Sequence, residues 1–263
     1  MTEKNNFQKA TIRIQRFNPD KDKKPYFQNF VVSYTRDTTL LDALHEIKSH
    51  QEGSLTYRRS CRHAICGSCA MNVNGKNMLV CNSPLQEHIN RRGVVTIRPL
   101  PYLPIIKDLV VDRTKFWEQY LRVKPWLITN SDSPEKEYRV SPEEVAALNS
   151  AETCIMCGAC YSACTVVGTS ENYIGPHALL KSFLRVLDPR DEGVSERLLE
   201  VGTHEGAFRC HTIFNCIDAC PKNLDPTKAI ETLRKLAVKR LAFEETKKQR
   251  QLSIRERVEN SEE

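Results

Sequence analysis

The sequence lacks the features that mark several common functional classes. It contains no apolar run near the roughly 20 residues that a membrane-spanning helix needs, so any membrane contact is expected through the surface or a partner. It has no phosphate-binding glycine loop and no Gly-x-Ser-x-Gly elbow. Residues 1–6 lack the apolar stretch of a secretory signal peptide. We therefore expect a compartment that keeps cysteines reduced.

The charge balance is basic, with a formal net charge of +6 over 263 residues. The chain shows neither a helix-turn-helix signature nor a basic stripe interleaved with aromatic residues, so we expect no nucleic acid partner. A basic face would suit anionic lipid or an acidic partner subunit. The hydrophobic share of 40% is ordinary for a globular protein, and the length is sufficient for two domains.

Eleven cysteines are present, an odd number that favours metal-bound thiolates over disulfides in a chain of this length. Residues 154–164 carry the C-x2-C-x2-C-x3-C spacing of bacterial ferredoxins, in which the fourth cysteine ligates the other cluster. Residues 210–221 fit the same template, but Ile213 stands where a cysteine is expected. Isoleucine has no donor atom for iron, so one corner of one cluster is expected to be missing.

This spacing predicts two neighbouring clusters. The predicted 4Fe–4S ligands are Cys154, Cys157, Cys160 and Cys220, and the predicted 3Fe–4S ligands are Cys164, Cys210 and Cys216. The alternative is a structural zinc scaffold for protein interaction, in which two cysteines pair with two further cysteines or histidines. Interlocked cysteine triplets followed by a proline favour the clusters.

A third group of cysteines has the C-x4-C-x2-C…C spacing of plant-type 2Fe–2S ferredoxins. Its members are Cys61, Cys66, Cys69 and Cys81. Small residues at positions 64, 67 and 68 should let backbone N–H groups approach the cluster. Asn74-Gly75 predicts a tight hairpin, which would bring Cys69 and Cys81 together.

Alternating apolar residues predict strands over residues 11–17, 27–35 and 94–97, and helical spacing predicts a helix capped by Thr38. With the hairpin, we expect four strands, one helix and a cluster loop, which together form a β-grasp unit. Ser141 to Glu144 is a capping box that should open a helix running into Cys154.

The predicted fold class is α+β, with a boundary in the proline-rich segment at residues 98–105. Residues 1–105 are expected to form a 2Fe–2S ferredoxin-type β-grasp domain. Residues 106–263 are expected to form an all-α, bacterial-ferredoxin-like domain (an α-helical ferredoxin) that carries the 4Fe–4S and 3Fe–4S clusters. From about residue 244 charge dominates, so the tail is predicted to be a frayed helix or disordered. Three clusters without a substrate pocket predict an electron carrier.

Over about residues 10–240 the chain resembles the iron–sulfur subunits of succinate dehydrogenase (succinate:quinone oxidoreductase) and fumarate reductase. The resemblance rests on three segments, residues 60–75, 209–216 and 220–222. It implies an oxidoreductase complex in which a flavoprotein subunit with FAD oxidises succinate. Electrons then pass through the 2Fe–2S, 4Fe–4S and 3Fe–4S centres to quinone at one or more membrane-anchor subunits. His211 matches a histidine beside the 3Fe–4S centre near the quinone site.

The resemblance also implies a peripheral membrane protein on the cytoplasmic face of a bacterial cell membrane. The chain departs from the family at residues 165–169, where a proline and nearby tryptophans are common, and at Ala64, where glycine is common. The acceptor, the quinone pocket and the anchor type are therefore left open. Fumarate reductase, another flavin-dependent dehydrogenase and a thiol-disulfide reductase complex remain alternatives.

Overall fold

The computed structural model describes residues 7–129, 134–148 and 150–259, with side chains described as far as residue 242. The residues group into two compact units. The first unit comprises Met1–Gln119, Thr153–Glu171 and Ile213–Asp225, and the second comprises Tyr120–Glu152, Asn172–Thr212 and Pro226–Glu263. The cysteine-rich segments 153–171 and 213–225 thus pack with the N-terminal part of the chain. The domain division at residue 105 stays a prediction, because compact packing and independent folding are different properties.

A five-stranded sheet forms the first unit, in the order β2-β1-β5-β3-β4. Its strands are β1 (Gln8–Arg16), β2 (Tyr26–Tyr34), β3 (Ala70–Val73), β4 (Lys76–Leu79) and β5 (Val94–Arg98). A separate ribbon pairs β6 (Ile105–Lys107) with β7 (Val110–Val111). The predicted number of four strands is wrong, because both arms of the Asn74-Gly75 hairpin join the sheet.

The central strand β1 pairs antiparallel with β2 and parallel with β5. Its alternate residues Ala10, Ile12 and Ile14 are buried, as a period of two requires for a sheet with one covered face. Helix α1 (Leu40–His50) buries a stripe of five apolar residues in the same core. The α+β class predicted from the sequence is confirmed.

The predicted cap of α1 at Thr38 is wrong, because the cap is the neighbouring Thr39. The Thr39 hydroxyl accepts the N–H of Asp42, and the Asp42 carboxylate accepts the N–H of Thr39, which is a complete capping box. Thr38 instead accepts the N–H of Thr35 through its hydroxyl.

The first unit also contains short helices, one before β5 and the others after the sheet. They are α2 (Leu85–His88), α5 (Ala159–Ala163), α6 (Thr165–Thr169) and α9 (Asn215–Asp218). Helix α3 (Thr114–Arg122) continues from the first unit into the second.

The second unit is helical and contains α4 (Pro142–Ala147), α7 (Pro176–Val186), α8 (Val194–Val201) and α10 (Pro226–Glu259). Ala229, Ile230, Leu233 and Ala237 form the buried face of α10, and this helix packs on α7 and α8. Because the backbone of α10 is helical as far as Glu259, the charged tail begins inside this helix. In the described parts of the chain, no helix combines the length and apolarity needed to cross a bilayer.

The capping box at Ser141 and Glu144 is present as predicted, with Pro142 in the first turn. The expected run of this helix into Cys154 is wrong, because α4 ends at Ala147. Ser150 adopts a left-handed backbone with φ of 57°, which is incompatible with a continuing right-handed helix.

A buried arginine connects two segments of the second unit. Arg197 of α8 is almost fully buried and forms an ion pair with Asp191 at 2.7 Å. The same guanidinium donates to the carbonyl oxygens of Val123, Lys124 and Trp126. Five donors with fixed directions suit this task, so Arg197 ties the segment after α3 to α8.

Candidate iron–sulfur sites

The segment from Cys61 to Cys69 wraps backbone N–H groups around sulfur. The N–H groups of His63, Ile65 and Cys66 point at the Cys61 sulfur, at 3.5, 3.3 and 3.3 Å. These three donors favour the thiolate and lower the pKa of Cys61 to about 6. The loop therefore stabilises a negatively charged sulfur before any metal is bound, as an iron ligand requires.

The same loop also reaches the fourth cysteine of the group. The Ala64 N–H lies 3.4 Å from the Cys81 sulfur. Arg62, Ala64 and Gly67 have φ of 62°, 58° and 70°, and this left-handed backbone turns the loop so that its amides face inward. Ala64 adopts this left-handed backbone although its Cβ atom makes the conformation less favourable than it would be for glycine.

The hairpin between β3 and β4 brings Cys69 and Cys81 together. Asn74 and Gly75 have φ of 50° and 91°, the two positive values that a type I′ turn requires. The Val80 N–H donates to the Cys69 carbonyl at 3.4 Å, and the Cys69 and Cys81 side chains interact. Burial raises the pKa of Cys69 to about 12, so bound iron would be needed to keep this sulfur deprotonated.

The 2Fe–2S loop rests directly on the loop that carries Cys157. A Cβ atom built on Gly67 would lie 2.8 Å from the Cβ and 2.9 Å from the Cα of Cys157, closer than side chains tolerate. Both residues belong to the first unit. Absence of a side chain at Gly67 therefore permits the close approach of two predicted cluster loops.

The segment from Cys154 to Cys160 forms a second sulfur-lined loop. Met156 and Gly158 have left-handed backbones with φ of 53° and 85°, and Gly158 precedes helix α5. Desolvation raises the pKa of Cys157 to about 11. The pKa of Cys160 is also raised, first by desolvation and then by the sulfurs of its neighbours, among them Cys220.

Cys220 approaches this loop from a distant part of the sequence. Its sulfur interacts electrostatically with Cys157 and Cys160. The Leu224 N–H also lies 3.4 Å from the Cys220 sulfur. The Cys216 sulfur also interacts with Cys160. The set of Cys154, Cys157, Cys160 and Cys220 stays a prediction, which the proximity of Cys220 to this loop supports.

The third predicted ligand set is divided between the two units. Cys164 and Cys216 belong to the first unit and Cys210 to the second, so this set stays a prediction. In the first unit, the Asn215 amide donates to the Ala163 carbonyl at 3.2 Å and ties α9 to the end of α5. In the second unit, the Thr212 N–H lies 3.4 Å from the Cys210 sulfur.

Two further predicted positions lie beside these cysteines. Ile213 is 46% exposed, so its apolar side chain is not part of the core. His211 is exposed as well, and its role at a quinone site stays a prediction.

None of the eleven cysteines, all of which lie within the described residues, forms a disulfide. Across the described residues, no group of three or more His, Cys, Asp or Glu side chains is placed to hold a single metal ion. The thiolates of an iron–sulfur cluster are divided among two or more iron atoms, so they do not all need to converge on one point. The amide-lined loops and charged sulfur surroundings fit such clusters.

A buried amide pair, overlooked in the sequence, joins the hairpin to the second loop. The Asn72 side-chain amide donates to Asn77 Oδ1 at 2.8 Å, and Asn77 Nδ2 donates to the Ala159 carbonyl at 3.0 Å. The only sequence signal was a polar residue at each position of a strand pair, which also describes a solvent-facing hairpin. The pair therefore fixes β4 against α5, which follows Cys157.

Replacing Asn77 with alanine is expected to lower the free energy of unfolding by about 2 kcal/mol, because a buried donor and a buried carbonyl lose their partners. Thermal or urea unfolding of the cluster-loaded protein measures the loss. Asn29→Ala, at an exposed position of β2, is the matched control and should change stability by less than about 0.5 kcal/mol. Equal losses in the two variants would contradict the structural role of Asn77.

Comparison with known proteins agrees with this geometry. A family described as a 2Fe-2S iron-sulfur cluster binding domain matches residues 11–118, and a 4Fe-4S dicluster domain matches residues 150–224. Fold and site thus define an iron–sulfur protein with 2Fe–2S and 4Fe–4S modules. The predicted presence of these two modules is confirmed.

Similar proteins of known identity show to which family of iron–sulfur proteins this chain belongs. The succinate dehydrogenase iron-sulfur subunit of Paracoccus denitrificans is 41% identical over 232 residues, 88% of each chain. That of Coxiella burnetii is 43% identical over 227 residues, covering 85% of this chain and 95% of the relative. A chain of the Mycobacterium smegmatis Sdh1 complex in the apo form superposes with a TM-score of 0.79 at 25% identity, over 89% of this chain and 97% of that one. This chain belongs to the family of succinate dehydrogenase iron–sulfur subunits, which confirms the predicted family.

Proposed function

We propose that this chain is the electron-transfer subunit of a succinate:quinone oxidoreductase. It would receive electrons from an FAD-containing flavoprotein subunit and deliver them to quinone at membrane-anchor subunits. The observation that carries the proposal is the contact between Gly67 and Cys157, because transfer between two redox groups requires that they lie close together. Membership of the family of succinate dehydrogenase iron–sulfur subunits also supports this role.

In this proposal, each cysteine binds the cluster that the sequence predicts for it. Cys61, Cys66, Cys69 and Cys81 hold the 2Fe–2S cluster, and Cys154, Cys157, Cys160 and Cys220 hold the 4Fe–4S cluster. Cys164, Cys210 and Cys216 hold the 3Fe–4S cluster, with Ile213 at the missing corner. When bound, these clusters accept and release single electrons. The chain itself fixes the thiolates, supplies amide donors and keeps the sulfurs of Cys69 and Cys157 away from solvent.

The proposed transfer of electrons to quinone is supported by where His211 and Ile213 lie in the sequence. His211 and Ile213 lie between the predicted 3Fe–4S ligands Cys210 and Cys216. Both side chains are exposed, which suits contact with a partner or a quinone. Residues 165–169 lack the family's proline and tryptophans, so this chain would complete a quinone pocket with other side chains. We infer peripheral attachment to the cytoplasmic face of a bacterial cell membrane through the anchor.

Purification of the tagged chain from its native membrane tests the partners. We expect a flavoprotein that oxidises succinate and passes electrons to quinone to co-purify with it. A co-purifying flavoprotein without activity on succinate or fumarate would overturn the proposal and favour another flavin dehydrogenase or a thiol-disulfide reductase complex. Activity mainly with fumarate would favour a fumarate reductase.

The 2Fe–2S midpoint potential is expected to lie well above the roughly −400 mV of plant-type ferredoxins. Amide donors on the sulfurs of Cys61 and Cys81 stabilise the added negative charge of the reduced state. An EPR-monitored redox titration of the purified complex measures the potential. A value near −400 mV would contradict electron acceptance from succinate.

A further inference from the structure

Arg113 places a guanidinium group on the loop between Cys154 and Cys160. It follows β7 and precedes α3, both far from that loop in sequence. Its Nη2 atom donates to the Met156 carbonyl at 2.5 Å. A Cβ atom built on Gly158 would lie only 3.4 Å from the same nitrogen. Arg113 therefore contacts the loop on both sides of Cys157.

Aromatic rings hold this cation in place. The guanidinium carbon lies 4.4 Å from the centroid of the Phe116 ring and 5.3 Å from that of Trp117. Such cation–π contacts orient arginine without neutralising its charge. Its Nε atom is buried and has no hydrogen-bond partner.

Among the described side chains, no carboxylate forms an ion pair with the Arg113 guanidinium. Of the donors on Arg113, the Asp112 carboxylate accepts only the backbone N–H. Burial and the positive charge of Arg58 lower the pKa of Arg113, while the Cys157 and Cys160 sulfurs, as thiolates, act in the opposite direction. Arginine nevertheless stays charged in proteins. A desolvated cation is costly unless an anion compensates it. The Cys157 and Cys160 sulfurs, which bound iron would keep deprotonated, are placed to supply that negative charge.

We propose that Arg113 is a positioning residue that holds a fixed positive charge against the 4Fe–4S loop and raises the reduction potential of that cluster. Reduction adds a negative charge to the cluster, and a neighbouring cation in a poorly solvated site stabilises the reduced form. This inference rests on the proposed function, because it assumes the 4Fe–4S cluster at Cys154, Cys157, Cys160 and Cys220.

The two contributions of Arg113, charge and hydrogen bond, can be separated by substitution. Arg113→Gln removes the charge but keeps an N–H donor for the Met156 carbonyl. Arg113→Lys keeps the charge but loses the planar fork. Arg92→Gln, at an exposed turn before β5, removes the same charge outside the cysteine-containing segments and is the matched control.

An EPR-monitored redox titration of the purified complex gives the readout. For Arg113→Gln we expect the ratio of reduced to oxidised 4Fe–4S cluster at a fixed potential to fall about tenfold, which is about 59 mV for a one-electron couple. Arg113→Lys and Arg92→Gln should stay within about twofold of the unmodified protein. An unchanged potential in Arg113→Gln, or equal shifts in the glutamine and lysine variants, would overturn the proposal.

A second neutral variant covers the case in which Arg113→Gln fails to retain the cluster. Arg113→Met keeps an apolar stem over Phe116, and its expected shift is the same. Loss of the 4Fe–4S cluster from both neutral variants would overturn the proposal, because Arg113 would then be a structural residue. If the potential shifts as expected but the complex does not act on succinate or fumarate, the proposed function fails and the role of Arg113 stands.

Discussion

Replacing Gly67 with alanine is expected to destabilise the protein by about 3 kcal/mol and to reduce loading of the 2Fe–2S and 4Fe–4S clusters. The added methyl group would meet the Cβ and Cα of Cys157 at 2.8 and 2.9 Å. Neither atom is the free end of a flexible side chain, so one of the two loops must move. A left-handed backbone with φ of 70° adds strain for any residue with a Cβ atom. Thermal unfolding and EPR quantification of both reduced clusters measure the effect.

Two other glycines separate the strain from the collision. Gly93 has φ of 75° but open space around its Cβ position, so Gly93→Ala should cost only about 1 kcal/mol. Gly53 has open space and no left-handed backbone, so Gly53→Ala should be close to neutral. If Gly67→Ala cost no more than Gly93→Ala and left both clusters in place, the close approach of the two loops would be wrong.

Replacing Cys220 with alanine is expected to remove the 4Fe–4S signal, although Cys220 lies 60 or more residues beyond the other three ligands in sequence. The Cys220 sulfur interacts with both Cys157 and Cys160, so its loss leaves that set with three thiolates. The 2Fe–2S signal should persist, because its four predicted ligands lie on the loop and hairpin between α1 and α2. EPR of the reduced complex measures both signals.

Cys216→Ala is the matched variant from the same short segment. It should remove the 3Fe–4S signal and leave the 4Fe–4S signal, because Cys216 is assigned to the cluster with the missing corner. Loss of the 3Fe–4S signal alone in Cys220→Ala would contradict the crossing of Cys220 to the first cysteine run. The two variants therefore test the ligand sets independently of activity.

Local features were readable from the sequence because short-range chemistry determines them. The Asn74-Gly75 hairpin, the capping box at Ser141 and the alternation along β1 each depend on neighbouring residues. Errors arose where adjacent residues compete for one role, as Thr38 and Thr39 do at the start of α1. The helix after Ser141 was predicted too long, because the sequence pattern carried no signal for the left-handed backbone at Ser150.

Contacts between segments that are distant in the chain could not be predicted from the sequence. The spacing of the cysteines indicated which residues could share a cluster, but not that Gly67 would touch Cys157. The bridge from Asn77 to Ala159 joins residues 82 positions apart, and that from Arg113 to Met156 joins residues 43 positions apart. Such contacts depend on how whole segments pack, and a single polar residue in one sequence gives no sign of its partner.

EPR of the oxidised, purified complex is the decisive experiment, because Ile213 in the second cysteine run predicts a 3Fe–4S cluster there. We expect an oxidised 3Fe–4S signal, followed on reduction by separate 2Fe–2S and 4Fe–4S signals. Ile213→Cys, which supplies the missing thiolate, should abolish the oxidised signal. A complete 4Fe–4S cluster at that position in the unmodified protein, or stoichiometric zinc without iron, would contradict the account.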